Sequence, residues 1–157
     1  MSHQDGTGLT GIAKVLQFYK VLWDQAAESY GGESSEALDG ANTYAAMMAD
    51  EGDVVEAEVI ARTTLARWKM AFGADNPGTM QAGEVLAAAL TKQAKFVQAA
   101  EVWRGMLQAY EGLDAGKDPR RQEIESAKSS LRAVEEKVDQ LKATLKASIF
   151  SALREDL

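Results

Sequence analysis

At 157 residues, 46% of them hydrophobic, the chain can bury one core and is too short to expect two domains. It has no cysteine, which excludes disulfides, thiolate metal sites and cysteine nucleophiles, and its net charge of −7, with no basic patch interleaved with aromatics, argues against a nucleic-acid partner. Residues 1–117 hold 16 acids and 9 bases, whereas 118–157 hold 8 of each, so all of the net charge lies in the first three quarters.

Residues 1–11, MSHQDGTGLTG, read as a flexible leader. GTGLTG at 6–11 matches the Gly-x-Gly-x-x-Gly pattern of dinucleotide sites, but only five residues precede it and no βαβ unit follows, so the pattern has no strand to act from. The leader lacks the basic-then-apolar order of a signal peptide, and no run approaches the roughly 18 apolar residues of a membrane span. A cytoplasmic protein without a membrane partner is expected. His3 is the only histidine, so no histidine-based triad or metal cluster can be assembled within one chain, and no cofactor or metal is expected.

Residues 12–29 predict a helix with a narrow polar stripe of Lys14, Gln17, Lys20, Asp24 and Glu28. Its apolar remainder, including Ile12, Val15, Leu16, Phe18, Tyr19, Leu22, Trp23 and Ala26, is wider than an ordinary surface helix needs. An N-terminal cap on a helical array is the expected role. YGGESS at 30–35 then marks a boundary, with Ser34 or Ser35 as the next cap.

The same punctuation returns 42 residues on as AFGADNPGT at 71–79. Gly73 can take the left-handed conformation that closes a helix, Asn76 can cap the next, and Pro77 fits a first turn, where its missing amide proton has no helical partner. Asp118-Pro119 repeats that start signal. Laying 30–71 over 72–113 without a gap matches Gly31 with Gly73, Ala45 with Ala87, Met48 with Leu90, Val55 with Val97, Ala57 with Ala99, Arg62 with Arg104 and Leu65 with Leu107. Each unit divides into two helix-length segments, near Gly52-Asp53 and near Ala94-Lys95. DEGD at 50–53 lacks the alternating ligands of a calcium loop and reads as a solvated turn. Carboxylate pairs such as Asp50/Asp53 and Glu56/Glu58 could in principle do acid–base work, but charges on helical repeats ordinarily form solvated faces, so no catalytic residue is assigned.

After Pro119 the 42-residue register puts Lys128 and Arg132 at core positions. Ile124, Ala127, Leu131, Val134, Val138, Leu141 and Leu145 instead keep a three-four spacing, and no Gly or Pro interrupts 120–157. The spacing predicts one helix of about 35 residues, ~50 Å long. Its first turns should pack on the second repeat. Leu131, Val134, Val138, Leu141 and Leu145 form a candidate self-association seam of coiled-coil type, and a homodimer through it is one expectation.

The order Tyr44-Ala45…Met48…Gly52…Val54…Ala57…Leu65, repeated as Leu86-Ala87…Leu90…Ala94…Phe96…Ala99…Trp103…Leu107, resembles the tetratricopeptide repeat. The 42-residue period and the Gly-Ala-Asp-Asn-Pro linker resemble the longer, kinesin-light-chain type. Ala94 stands where the turn glycine is usual. The resemblance implies an all-α solenoid of antiparallel helical hairpins over residues 12–118, followed by a long helix over 119–157. It also implies a non-enzymatic scaffold or adaptor whose first helices line a concave groove for a peptide or partner helix. Carried over by position, the groove residues are Asp39, Asn42, Ala46, Ala49 and Asp50, then Gln81, Glu84, Ala88, Thr91 and Lys92. Asn42 is the foremost of these, since its amide both donates and accepts as a peptide bond demands. The acidic body favours a basic or neutral protein or peptide partner. A self-associating structural subunit and a cryptic helical enzyme are the alternative functions.

Overall fold

The computed structural model describes residues 11–111 and 120–156. They form six helices: α1 (Gly11–Tyr30), α2 (Ser35–Asp50), α3 (Val54–Phe72), α4 (Pro77–Lys92), α5 (Phe96–Ala109) and α6 (Arg121–Glu155). Among the described residues there is no strand, and no helix is long and apolar enough to cross a membrane. Residues 1–10 of the expected leader, His3 among them, and the Asp118-Pro119 start signal lie outside the described residues, and Gly11 begins α1.

Helix boundaries follow from local chemistry. Ser34 Oγ accepts from Ala37 N at 3.2 Å, and Asn76 Oδ1 accepts from Gly78 N at 2.8 Å with Pro77 in the first turn. Asp53 Oδ1 caps α3 by accepting from Glu56 N at 3.3 Å. Among the described residues four have φ in the left-handed region: Gly31 (94°), Gly52 (100°), Gly73 (91°) and Ala94 (58°). They are spaced 21 residues apart, half of the 42-residue period, so each marks the close of one helix. Glycine takes this conformation without steric cost; Ala94 does not.

Each helix packs on the next in the chain, and α2 also packs directly on α4. The core runs along this succession. The small residues paired by the 42-residue shift are where helices approach: Ala45, Ala87, Ala57 and Ala99 are all 0% exposed. Larger side chains fill the space between them, among them Leu38, Leu65, Trp68, Leu86, Leu90 and Trp103. Two glycines are required by such contacts. A Cβ on Gly78 would lie 2.3 Å from the Trp68 ring, and one on Gly83 would lie 2.2 Å from Met106 Sδ.

α1 buries no residue completely. It rests on α2 through half-buried Leu16 and Trp23, the latter with its ring 5.8 Å from that of Tyr44, and leaves Ile12, Val15, Phe18 and Leu22 exposed.

α6 divides into two parts. Ile124, Ala127 and Val134 are buried, and Leu131 packs half-buried against the same core. These four follow Met80, Gly83, Ala87 and Leu90 at a constant distance of 44 residues (124 − 80, 127 − 83, 131 − 87, 134 − 90). The repeat therefore continues into α6 with two residues added, and the 42-residue register fails only by that offset. Leu131 and Val134 consequently belong to the intramolecular core, which corrects their assignment to a seam with a second chain. Val138 is half-buried, and every residue from Leu141 to Asp156 is exposed.

Candidate groove

α2 and α4 lie side by side, and three cavity stretches follow one another along α4, the first two between it and α2 and the third between it, α5 and α6. The largest, about 580 Å³, is walled by Asp39 of α2, by Asn76, Gln81 and Glu84 at and after the start of α4, by Trp68 of α3 and by Glu123 of α6. Glu84 also lines the second stretch, with Ala46, Ala49, Asp50 and Ala88, and Ala88 lines the third, with Thr91, Lys92, Ser130 and Ala133. Glu84 borders the first two stretches and Ala88 the second and third. Nine of the ten expected groove residues line one or another of them.

Asn42 is the exception, and it corrects the expectation that its amide is displayed to a ligand. It is 1% exposed, and its Nδ2 donates to Gly78 O at 3.2 Å and reaches Gln81 Oε1 at 3.5 Å. The side chain ties α2 to the start of α4, leaving its Oδ1 buried without a hydrogen-bond partner. Glu84, its counterpart 42 residues on, stays open to solvent because α6 rests mainly on α5 and covers α4 less than α4 covers α2.

The largest stretch is acidic. Burial raises the pKa of Asp39 first, and the nearby Glu36 raises it further. Glu84, though open to solvent on one side, is likewise pushed up by desolvation against the cleft wall, with Glu123 as the second cause. Among the described residues no lysine or arginine forms an ion pair with Asp39, Glu84 or Glu123, and no group of three potential ligands is close enough to hold a metal ion. Trp68 is 3% exposed, forms part of the wall, and its indole N–H has no acceptor among the described residues.

At the other end the charges are satisfied. Lys92 Nζ donates to Ala49 O at 2.9 Å and to Asp50 Oδ1 at 3.0 Å, closing the channel between α2 and α4. Thr91 donates to Ala87 O at 2.8 Å within its own helix. Of the acid–base candidates, Asp50 is thus ion-paired and Asp53 caps α3.

Glu58 is fully engaged in structure. Its Oε2 accepts from Gln93 Nε2 at 2.7 Å and Lys95 Nζ at 2.9 Å, and its Oε1 accepts from Arg62 Nη2 at 3.0 Å. The Lys95 bond is the largest cause holding its pKa down, to about 2. The same Gln93 amide donates to Ala89 O at 3.1 Å, so one carboxylate anchors the α4–α5 turn to α3.

Glu123 and Trp68 are among the wall residues that the sequence reading did not indicate. The signal for Glu123 was the 42-residue period itself, since Glu123 follows Gln81 by 42 residues and Asp39 by 84, and all three line the same cleft. Trp68 carries no such signal, since it reaches the wall from a second helix through the gap left by Gly78. No family model matches the chain, and no curated protein matches it.

Proposed function

We propose that the protein is a non-enzymatic protein–protein interaction module, a tetratricopeptide-like array of the kinesin-light-chain type, whose groove receives a basic segment of a partner protein. The observation that carries this is the acidic stretch: three carboxylates on three different helices line a cleft of about 580 Å³, and among the described residues none of the three is in an ion pair. Supporting it are the 42-residue period, the succession of antiparallel neighbours and the small side chains that hold the channel open. Asp39 and Glu84 are crowded as charged groups, and a lysine or arginine of the partner offsets that cost while Trp68 offers an apolar wall for its stem.

The test is titration of the full chain with an array of short peptides varying in lysine and arginine content. Binding that rises with basic content and falls with salt is expected, as is a loss of about 10-fold or more for Asp39→Asn with Glu84→Gln, at a thermal stability equal to or above that of the wild type. The pH sign follows from the raised pKa values. Their contribution to stability is present in full below the unfolded carboxylate values and is lost as pH rises through the folded ones, so the free protein carries a strain at neutral pH that a cation relieves. Affinity should therefore fall as pH drops into the carboxylate range. Equal binding of acidic and basic peptides would remove the reading.

A further inference from the structure

The apolar stripe of α6 outruns the helix that covers it. Val134 is 5% exposed, whereas Leu141, Leu145, Ile149, Phe150 and Leu153 are between 52% and 62% exposed. The same stretch, residues 140–154, holds three bases, Lys142, Lys146 and Arg154, and no acid, whereas all 24 acids of the chain lie outside it with 14 of the 17 bases. Viewed down the axis at about 100° per residue, Lys142 falls between Ile149 and Leu153, and Lys146 between Leu153 and Phe150. Both lysines therefore stand within the apolar face. Among the described residues neither they nor Arg154 are in an ion pair.

Those lysines restrict what can cover the stripe. A surface that covers it covers them too, and a buried cation without a counter-charge is costly, so that surface must carry carboxylates among small or apolar side chains. A second stripe of the same kind brings none, since 140–154 has no acid. The cleft of α2 and α4 has the required composition. Asp39, Glu84 and Glu123 line it outside any ion pair among the described residues, and Ala46, Ala49 and Ala88 continue it along α4. From Asp39 to Asp50 it runs about 16 Å along α2, against about 18 Å from Leu141 to Leu153. The chain's own cleft is out of reach. α6 is unbroken from Arg121 to Glu155 and helps to wall that cleft at Glu123, so Leu141 stands about 27 Å further along the same helix.

We infer that the basic segment received by the groove is the far part of α6, residues 140–154, of a second copy of this chain. The inference rests on the reading that the groove takes a basic segment, and it names that segment. Two different surfaces meet, so each copy offers one groove and one stripe. Lys142 and Lys146 lie against the cleft carboxylates, and the leucines of the stripe lie over the alanines in the manner of a helix in a groove.

Light scattering on the full chain over a range of concentrations and salt is the experiment, with two variants at exposed positions. Lys142→Glu with Lys146→Glu reverses the charge of the stripe, and Asp39→Asn with Glu84→Gln neutralises the groove. The wild type should reach twice the monomer mass or more as concentration rises and fall back as salt is added. Each variant alone should associate about 10-fold or more weakly, with helicity by circular dichroism unchanged. A one-to-one mixture of the two should reach twice the monomer mass and stop there, because one intact stripe meets one intact groove. A wild type that is monomeric at every concentration overturns the inference, as does a mixture that stays monomeric. If basic peptides still bind that monomeric wild type, the groove reading stands and only the named occupant falls. Association indifferent to both variants overturns the inference in favour of another surface.

Discussion

Asn42 and Glu84 occupy equivalent places 42 residues apart, yet one is buried and the other open. A short amide suits the first because it can donate to Gly78 O across the α2–α4 contact. Asn42→Ala should therefore lower stability by about 1 kcal/mol, the net value of one hydrogen bond, or about 2–4 °C in Tm. A thermal melt showing no change while peptide binding is lost would return Asn42 to the groove. Ala94 offers the opposite case. It is exposed with φ at 58°, whereas Gly52, 42 residues earlier, fills the same turn at 100°. Ala94→Gly should raise stability by about 0.5–1 kcal/mol, because relief of the left-handed backbone exceeds the added freedom of the unfolded chain. Denaturant unfolding with an unchanged slope and a higher midpoint is the readout.

Helix starts and stops were legible because caps are local. A serine, asparagine or aspartate satisfies amides within three residues of itself, and a glycine closes a helix by its own backbone. How one helix is fastened to another was not legible. Glu56 and Glu58 look alike in the sequence, but only Glu58 meets Lys95 and Gln93 from the following unit, 37 and 35 residues away. Its side chain is 12% exposed, so the bonds are only partly screened. Glu58→Gln should cost about 1–3 kcal/mol at neutral pH. Because the folded pKa is lowered, to about 2 from 4.5, this stability is present above the unfolded value and lost as pH falls through the folded one. The gap between wild type and variant in urea midpoint should thus be full at pH 7 and close between pH 4.5 and 2. A gap independent of pH would place the effect in packing instead. The long helix shows a similar limit: its length follows from the absence of breakers over 120–157, but its division into a buried and an exposed part depends on where α5 begins.

Over the whole molecule, the sequence by itself determined that the chain is helical, where its helices begin and end, and which alanines pair across the 42-residue repeat. Periodicity, capping and backbone preference act within a turn or two, so they can be read without knowing what lies opposite. The same locality set nine of the ten expected groove residues against the cavities along α4, because spacing along a helix determines which way a side chain faces. Only the tertiary structure decided which facing residues remain open. It buried Asn42 under the start of α4, brought Glu123 and Trp68 to Asp39 and Glu84, drew Glu58 into the α4–α5 turn, and ended the cover over α6 at Val138. Burial and charge pairing depend on which element lies across the gap, and that is a relation between residues some forty positions apart which no single helix contains.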